Sequence, residues 1–250
     1  MKICCCVCTW LRPQQLGNLI RCFERQDYAN RCMVILDDAG QYENQEGDRW
    51  RLVSIKDRFD SLGHKRNAVA RLAPNDADAF AIWDDDDYYL PWALSASVAA
   101  LRTAEWSRPS LVLHPWEKTP LHWQFRQHQT GGLYHGSWAY QREMFGRLGG
   151  YKAGYSGPED QEFMWRMEKA GVTRADPIAL GYQPFYVYPW GNLSGGPHIS
   201  GMLTGRDNGE KAWQRMGMIE MQPATVTPTD PPWFDLANPI IDPTIYPRPF

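Results

Sequence analysis

Residues Ile3 to Thr9 make an unbroken apolar run that stops at a turn, and a second such run, Met33 to Leu36, follows before Asp37. Between them Leu16, Leu19, Ile20 and Phe23 fall at i, i+3, i+4 and i+7. A run that is apolar at every position is a strand buried on both faces, and a 3.6-residue stripe is an amphipathic helix packed on the sheet. The helix is expected from about Gln14 to Arg25, started by Arg12-Pro13. Strand, helix, strand is a βαβ unit, and the pattern recurs. Leu52 to Ile55 reads as a third strand, Gly63 to Leu72 as a helix, and Ala79 to Trp83 as a fourth strand. Another helix, entered through Pro91, runs to about Thr103. The spacing predicts an α/β fold with a mainly parallel sheet flanked by helices.

Regularity weakens afterwards. Ser110 to Leu113 is a short strand, and the stretch rich in His, Trp and Gln up to about Thr130 reads as a long functional loop. Order returns with Ser137 to Tyr140, a helix near Arg142 to Leu148, and a second from Pro158 to Lys169 stopped by Gly171. From Pro223 onward the last 28 residues hold eight prolines, so they are expected as an extended strap across the body or a loose tail. One domain is expected over residues 1–222, with 223–250 as a Pro-rich extension.

Composition narrows the class. With 250 residues, 43% hydrophobic and 22% charged, the chain can bury a full core. No apolar run approaches the roughly 18 residues a membrane helix needs. The start, MKICCCVCTWLRPQQ, has no small-residue cleavage site, so a cytoplasmic location is the expectation. The six cysteines, at positions 4, 5, 6, 8, 22 and 32, include strand neighbours badly placed to chelate one ion, and read as buried, reduced thiols. A net charge of -3 carries no global argument for nucleic acid or membrane. Twelve Trp and nineteen Pro point to aromatic surfaces for a ring-shaped ligand and to long ordered loops.

In an open α/β sheet the ligand crevice lies beyond the carboxyl ends of the strands. Two acidic clusters fall there: Asp37-Asp38, and Asp84 through Asp87. Six converging carboxylates repel one another unless a divalent cation, a cationic ligand or water relieves them. Hard oxygen ligands suit Mg²⁺ or Mn²⁺, which bind through one or two carboxylates and leave positions for substrate phosphates. The lesser alternative for the second cluster, read alone, is an acidic surface turn capping the helix at Pro91. Thr9 to Pro13 lacks the glycines of a dinucleotide fingerprint, and neither GxxxxGK[ST] nor GxSxG occurs.

Between Arg49 and Arg71 seven Lys or Arg face only Asp57 and Asp60, a local excess of plus five. Some should face phosphate, Lys65-Arg66-Asn67 at a helix start foremost, unless the stretch is a solvated basic face. Glu159 and Asp160 occupy the first turn of a helix, where acids often only complement the dipole. Held at a cleft edge, one of them could instead act as a general base.

Taken in order, these blocks resemble the family 2 glycosyltransferases of the GT-A fold over most of residues 3 to 171. The matching pieces are Cys4 to Pro13, Val34-Ile35-Leu36-Asp37-Asp38, Gly63-His64-Lys65-Arg66-Asn67, Asp84-Asp85-Asp86-Asp87 with Pro91, and Glu159-Asp160 with Phe163 and Arg166. The resemblance implies a GT-A type Rossmann-like sandwich with a nucleotide-binding half, residues 1–105, and an acceptor-binding half, residues 106–222. It implies that Thr9, Arg12, Asp37, Asp38, Lys65, Arg66, Asp84 and Asp85 hold the nucleotide. Asp86, with Asp84, would take Mn²⁺ or Mg²⁺ on the diphosphate, and His198 a further metal or phosphate contact, although a lone His in a Gly-rich loop is more often merely exposed. Asp160, beside Glu159, would be the base. The implied reaction is a single in-line displacement at an anomeric carbon with inversion, from a nucleoside diphosphate sugar, with a uridine diphosphate sugar the expected donor.

Residues from about Trp116 to Tyr134 match no block of the family, and that is where an acceptor would be selected. A glycan, a lipid-linked sugar, a protein side chain, a small molecule or a hydroxylated DNA base would each fit. Two other readings stay open: a nucleotidyltransferase of sugar phosphates, which usually shows a Gly-rich loop and Lys after the first strand, and a non-catalytic nucleotide- or sugar-binding protein on the same fold.

Overall fold

The computed structural model of the chain describes residues 1–118, 123–155, 157–189, 223–230 and 239–247. Strands β1 (Ile3–Thr9), β2 (Arg31–Asp37), β4 (Trp50–Ser54) and β5 (Ala79–Asp84) run parallel. They are the centre of an eight-stranded sheet ordered β11-β7-β10-β5-β1-β2-β4-β3. The outer members are short: β3 (Gln45–Gly47), β7 (Trp106–Ser107), β10 (Ala139–Gln141) and β11 (Arg174–Ala175). β10 enters antiparallel against β5, and so ties the second half of the chain into the first.

Alternation along β1 sorts the core into two layers, because successive side chains leave a strand on opposite faces. Ile3, Cys5 and Val7 pack with Leu16, Leu19 and Phe23 of helix α1 (Pro13–Glu24) and with Leu94 of α3 (Ala93–Leu101). Cys4 and Cys6 face the other layer with Val69 of α2 (Leu62–Leu72), Met144 of α4 (Arg142–Arg147) and Phe163 of α5 (Glu159–Lys169). The cysteines are all free thiols, and burial pushes Cys8 up to about 11 and Cys22 up to about 12, which keeps both protonated at neutral pH. Ser61 starts α2 by accepting the His64 N–H at 3.2 Å, and Gly171 stops α5 in a left-handed conformation.

The short strand expected at Ser110 to Leu113 is present but runs on, and the stretch expected as a long loop after it completes a β-hairpin. Strands β8 (Leu111–Lys118) and β9 (Trp123–Gln129) pair antiparallel within a second sheet ordered β13-β9-β8-β12-β6, completed by β6 (Tyr88–Tyr89), β12 (Tyr186–Val187) and β13 (Ile240–Tyr246). From residue 125 to 129 of β9 only Phe125 and Gln127 are buried, and with Gln, Arg and His around them the strand period was hidden.

The Pro-rich extension is a strap that also supplies a strand. Ala224 N–H donates to the Gln41 carbonyl (3.0 Å), Val226 N–H to Gln45 Oε1 (2.8 Å) and Thr229 N–H to the Gly17 carbonyl (3.1 Å). Asp230 then pairs with Arg25 at 2.6 Å, and β13 lies parallel to β9. Among the described residues no helix is long and apolar enough to cross a membrane.

Candidate active site

Register decides what meets at the carboxyl edge of the sheet: Thr9 lies opposite Asp37, and Cys8 opposite Asp84. Asp37 is fully buried and builds its own loop, accepting the N–H groups of Ala39 and Gln41 (both 3.1 Å) and the Ser54 hydroxyl (2.7 Å). Asp38 is held by cations. Lys65 lies 2.5 Å away and Arg58 2.8 Å, while Phe59 N–H donates to the other oxygen at 3.2 Å. Lys65 also donates to the Thr9 carbonyl, and Arg58 lies over the Trp10 ring at 4.3 Å.

The second acidic cluster is assembled from both halves of the molecule. Asp85 accepts the Thr9 hydroxyl and an Arg12 N–H, each at 2.7 Å, and the same Arg12 nitrogen lies 3.0 Å from Asp86. Arg12 arrives there after Leu11, whose left-handed backbone (φ 56°) is unfavourable for a branched side chain. Asp84 pairs with Arg66 at 3.0 Å, and Arg66 reaches Glu159 at 3.3 Å. Asp87 accepts the Tyr186 hydroxyl, and its other oxygen is buried without a hydrogen-bond partner among the described residues. Burial raises the Asp85 carboxyl against the pull of Arg12, and burial together with Asp86 and Asp84 raises Asp87 well above the ordinary aspartate range. Gly136 closes the floor: a Cβ there would stand 2.8 Å from Asp84 Oδ2, 3.0 Å from the Tyr186 hydroxyl and 3.2 Å from Asp87 Oδ2. Only glycine allows that approach.

At the α5 amino terminus the two acids divide. Glu159 is buried, bound to Arg66 and to the Gly157 N–H (2.8 Å), and so is a structural anion. Asp160 is half-buried, accepts the adjacent Gln161 N–H at 2.7 Å, and makes no ion pair among the described residues. Burial first, then the neighbouring Glu159, raises its carboxyl above 3.8. A partly desolvated carboxylate of raised pKa is suited to take up a proton.

Most of the expected site residues are thus brought together as three linked groups: Thr9 with Arg12, Asp85 and Asp86; Lys65 with Asp38; and Arg66 with Asp84 and Glu159. Asp37 bonds its own loop instead, and Asp160 only Gln161 among the described residues. His198 lies outside the described residues. The basic stretch is no patch: Arg58, Lys65 and Arg66 turn inward to carboxylates, and Arg51 donates to the Leu72 carbonyl. Sequence reasoning missed Arg58 as a partner of Asp38, although it sat in the basic run, and missed Tyr186 and Gly136 entirely. Tyr186 meets Asp87 from 99 positions away, and no local pattern marks it.

Among the described residues no three His, Cys, Asp or Glu side chains form a ready-made metal cage. The acidic turn nevertheless suits a hard cation that takes only one or two carboxylates. Asp86 already holds a guanidinium, and one oxygen of the following Asp87 is buried with no hydrogen-bond partner among the described residues. A cleft of about 510 Å³ lies between Tyr42, Ser54, Lys56 and Pro223, and none of the expected site residues lines it. Another, of about 500 Å³, lies at the far end of the sheet by Met1, Ala77 and Arg142, away from every candidate residue.

No protein-family model matches the sequence, and no curated protein matches it. Solved structures do. Staphylococcus aureus TarS in complex with UDP-GlcNAc superposes with a TM-score of 0.55 at 13% identity, over 80% of this chain and 61% of TarS. The mannosyltransferase PcManGT of Pyrobaculum calidifontis, with GDP-Man and Mn²⁺, gives 0.54 at 16% identity over 83% and 65% of the two chains. A mutant Drosophila beta-1,4-galactosyltransferase 7 with manganese, UDP-Gal and xylobiose gives 0.51 at 15% identity over 83% and 80%. The chain therefore spans about three fifths of the TarS chain, and it has the GT-A fold that these glycosyltransferases share.

Proposed function

We propose that the chain is a glycosyltransferase that moves a sugar from a nucleoside diphosphate sugar to an acceptor hydroxyl with inversion. The observation that carries this is the meeting of Thr9, Arg12 and the Asp84–Asp87 turn with the amino terminus of α5 at one sheet edge. Solved proteins of the same fold hold UDP-GlcNAc, GDP-Man or UDP-Gal, two of them with manganese, which supports the reading.

In this reading Asp84 and Asp86 hold Mn²⁺ or Mg²⁺, which when bound supplies positive charge against the diphosphate. Arg12, Lys65 and Arg66 line the same edge with fixed cations, and their carboxylate partners keep them in place until phosphate oxygens compete for them. Asp160 accepts the acceptor hydroxyl proton. The oxygen forms its bond to the anomeric carbon as the bond to the β-phosphate oxygen breaks, and the nucleoside diphosphate leaves with that electron pair. Attack opposite the leaving group inverts the centre. A uridine diphosphate sugar is the donor tested first.

The test is a melting experiment with a panel of nucleoside diphosphates, with and without Mn²⁺, since a ligand that binds only the native state raises Tm. The expected result is a metal-dependent rise with at least one nucleotide, abolished in Asp86→Asn. No rise with any nucleotide would replace this reading with a non-catalytic protein on the same fold.

A further inference from the structure

The acidic turn joins the two sheets: Asp84 ends β5 and Tyr88 begins β6. Its carboxylates have partners, whereas its backbone closes through a long bond, Asp87 N–H to the Asp84 carbonyl at 3.4 Å. So loose a closure leaves the aim of the carboxylates to whatever grips the turn from outside. Tyr89 supplies the grip. Its buried hydroxyl accepts the Asp84 N–H at 2.9 Å and donates to the Gly136 carbonyl at 3.0 Å. One oxygen therefore ties the start of the turn to the glycine beneath it.

The ring that carries this hydroxyl is fixed. It stacks on Trp83 with centroids 3.9 Å apart and planes 3° from parallel, and it lies opposite Tyr186 in the antiparallel pairing of β6 with β12. The two tyrosines bring one hydroxyl to each end of the turn, Tyr89 to Asp84 and Tyr186 to Asp87. Gly136 is held as well. It lies in a single 3₁₀ turn, His135–Ser137, where His135 Nε2 is 2.7 Å from the Tyr151 hydroxyl and that hydroxyl 2.6 Å from the one on Tyr140. Ser137 donates twice to the Tyr134 carbonyl, from its N–H at 3.0 Å and its hydroxyl at 2.6 Å. Tyr134 keeps a left-handed backbone (φ 66°), which a bulky residue adopts only where its surroundings impose it.

We infer that Tyr89 is a positioning residue for the divalent cation: through the Asp84 backbone and Gly136 it fixes the separation and aim of the Asp84 and Asp86 carboxylates. This rests on the metal-dependent reading above. Tyr89 touches neither the ion nor the substrate. Carboxylates set in advance lose less freedom on taking up a hard cation, so the groups behind them tune its affinity.

Three variants separate aim from stability. Tyr89→Phe keeps the ring on Trp83 and removes both hydroxyl bonds at once. Gly136→Ala reaches the same carboxylates from the floor, where a Cβ would stand 2.8 Å from Asp84 Oδ2. Tyr140→Phe is the control, because it also removes a buried tyrosine hydroxyl from a hydrogen bond, the one to Tyr151, at a distance from the acidic turn. Mn²⁺ would be titrated into the wild-type chain and each variant with UDP or GDP present, the free ion being read by its electron paramagnetic resonance. The Tm of each chain would be taken without metal.

Tyr89→Phe and Gly136→Ala should weaken Mn²⁺ binding by about 10–100-fold, the usual cost of losing a group that orients a metal ligand. Tyr140→Phe should lower Tm and leave the Mn²⁺ affinity at the wild-type value. Unchanged affinity in Tyr89→Phe, or an equal loss in Tyr140→Phe, would overturn the proposal, since the hydroxyl would then serve stability alone. One measurement needs no variant to fold: the Asp84 amide of the metal-free wild-type chain should exchange its hydrogen slowly, and exchange at the rate of an exposed amide would overturn the grip itself. A wild-type chain that binds no Mn²⁺ would instead remove the metal-dependent reading on which this one stands.

Discussion

The carboxyl edge of the parallel sheet and the five-stranded sheet beside it solve opposite problems. At the first, carboxylates are crowded and each is tied to a cation or a hydroxyl: Asp38 to Lys65 and Arg58, Asp84 to Arg66, Asp85 and Asp86 to Arg12, Asp87 to Tyr186. At the second, His114 of β8 packs edge-on against His128 (4.8 Å), Tyr134 (5.9 Å) and Tyr188 (5.7 Å), and the Tyr134 hydroxyl lies 3.4 Å from His114 Nε2. Burial and the neighbouring His128 push His114 down to about 4, so it is neutral at physiological pH. One region concentrates paired charges, and the other is built of uncharged rings. Under the proposed function that is the contrast expected between a diphosphate-binding edge and a face for a neutral hydroxyl compound.

The sharpest test of the charged region is Asp160→Asn. Turnover should fall by about 10²–10⁴-fold, the usual contribution of a positioned general base. Stability should move the other way. The folded chain holds the Asp160 carboxyl above 3.8, so its proton favours the native state at low pH, and that contribution is lost as pH rises through the raised value. The amide variant should therefore gain stability relative to wild type as pH rises above about 4, read as Tm. Undiminished turnover would remove Asp160 from the chemistry.

Arg66→Met asks whether the charged edge is held by its ion pairs. Glu159 would remain buried without its cation, a loss of about 3–5 kcal/mol by denaturant titration. A cost under about 1 kcal/mol would mean that packing, not charge, carries that edge. For the aromatic region the lever is acid. His114 titrates near 6.5 when unfolded and about 4 when folded, so wild-type stability should decline by up to roughly 3 kcal/mol as pH falls from 6.5 toward 4. His114→Phe should lack that share of the decline. Tyr186→Phe joins the two regions, because its hydroxyl is the aromatic side's hydrogen bond to Asp87; about 1–3 kcal/mol of thermal stability is expected to go with it.

Legibility in the sequence follows the same division. Thr9, Asp37 and Asp84 end three apolar runs, so a strand-by-strand reading puts them at one sheet edge, and the structure aligns them there. The cations that answer them were visible only as a basic stretch, because a side chain's partner depends on helix orientation: Lys65 and Arg66, one residue apart on α2, serve different acids. Of the second sheet only the start of β8, at Ser110 to Leu113, was legible, and the stretch after it was read as a loop. Its members come from positions near 88, 113, 125, 187 and 241, with two-residue strands that carry no period of their own. The two carboxylates heading α5 looked alike in sequence, and only the reach of Arg66 separates the anchored Glu159 from Asp160.

The strand contributed by the extension has a consequence for the chain's behaviour in a crowd. β13 is the last strand of its sheet, so its outer side presents backbone groups that could template pairing with another molecule, and Ile240 and Ile245 are exposed on it. Pro243 sits in its middle and lacks an N–H, and the register slips between Asp242 and Ile245, where the Asp242 carboxylate turns back to the Thr244 N–H at 2.9 Å. A strand broken in this way cannot extend a continuous ladder outward. Proline-rich composition, which reads as a reason for disorder, here leaves an edge strand whose backbone ladder is interrupted in its middle.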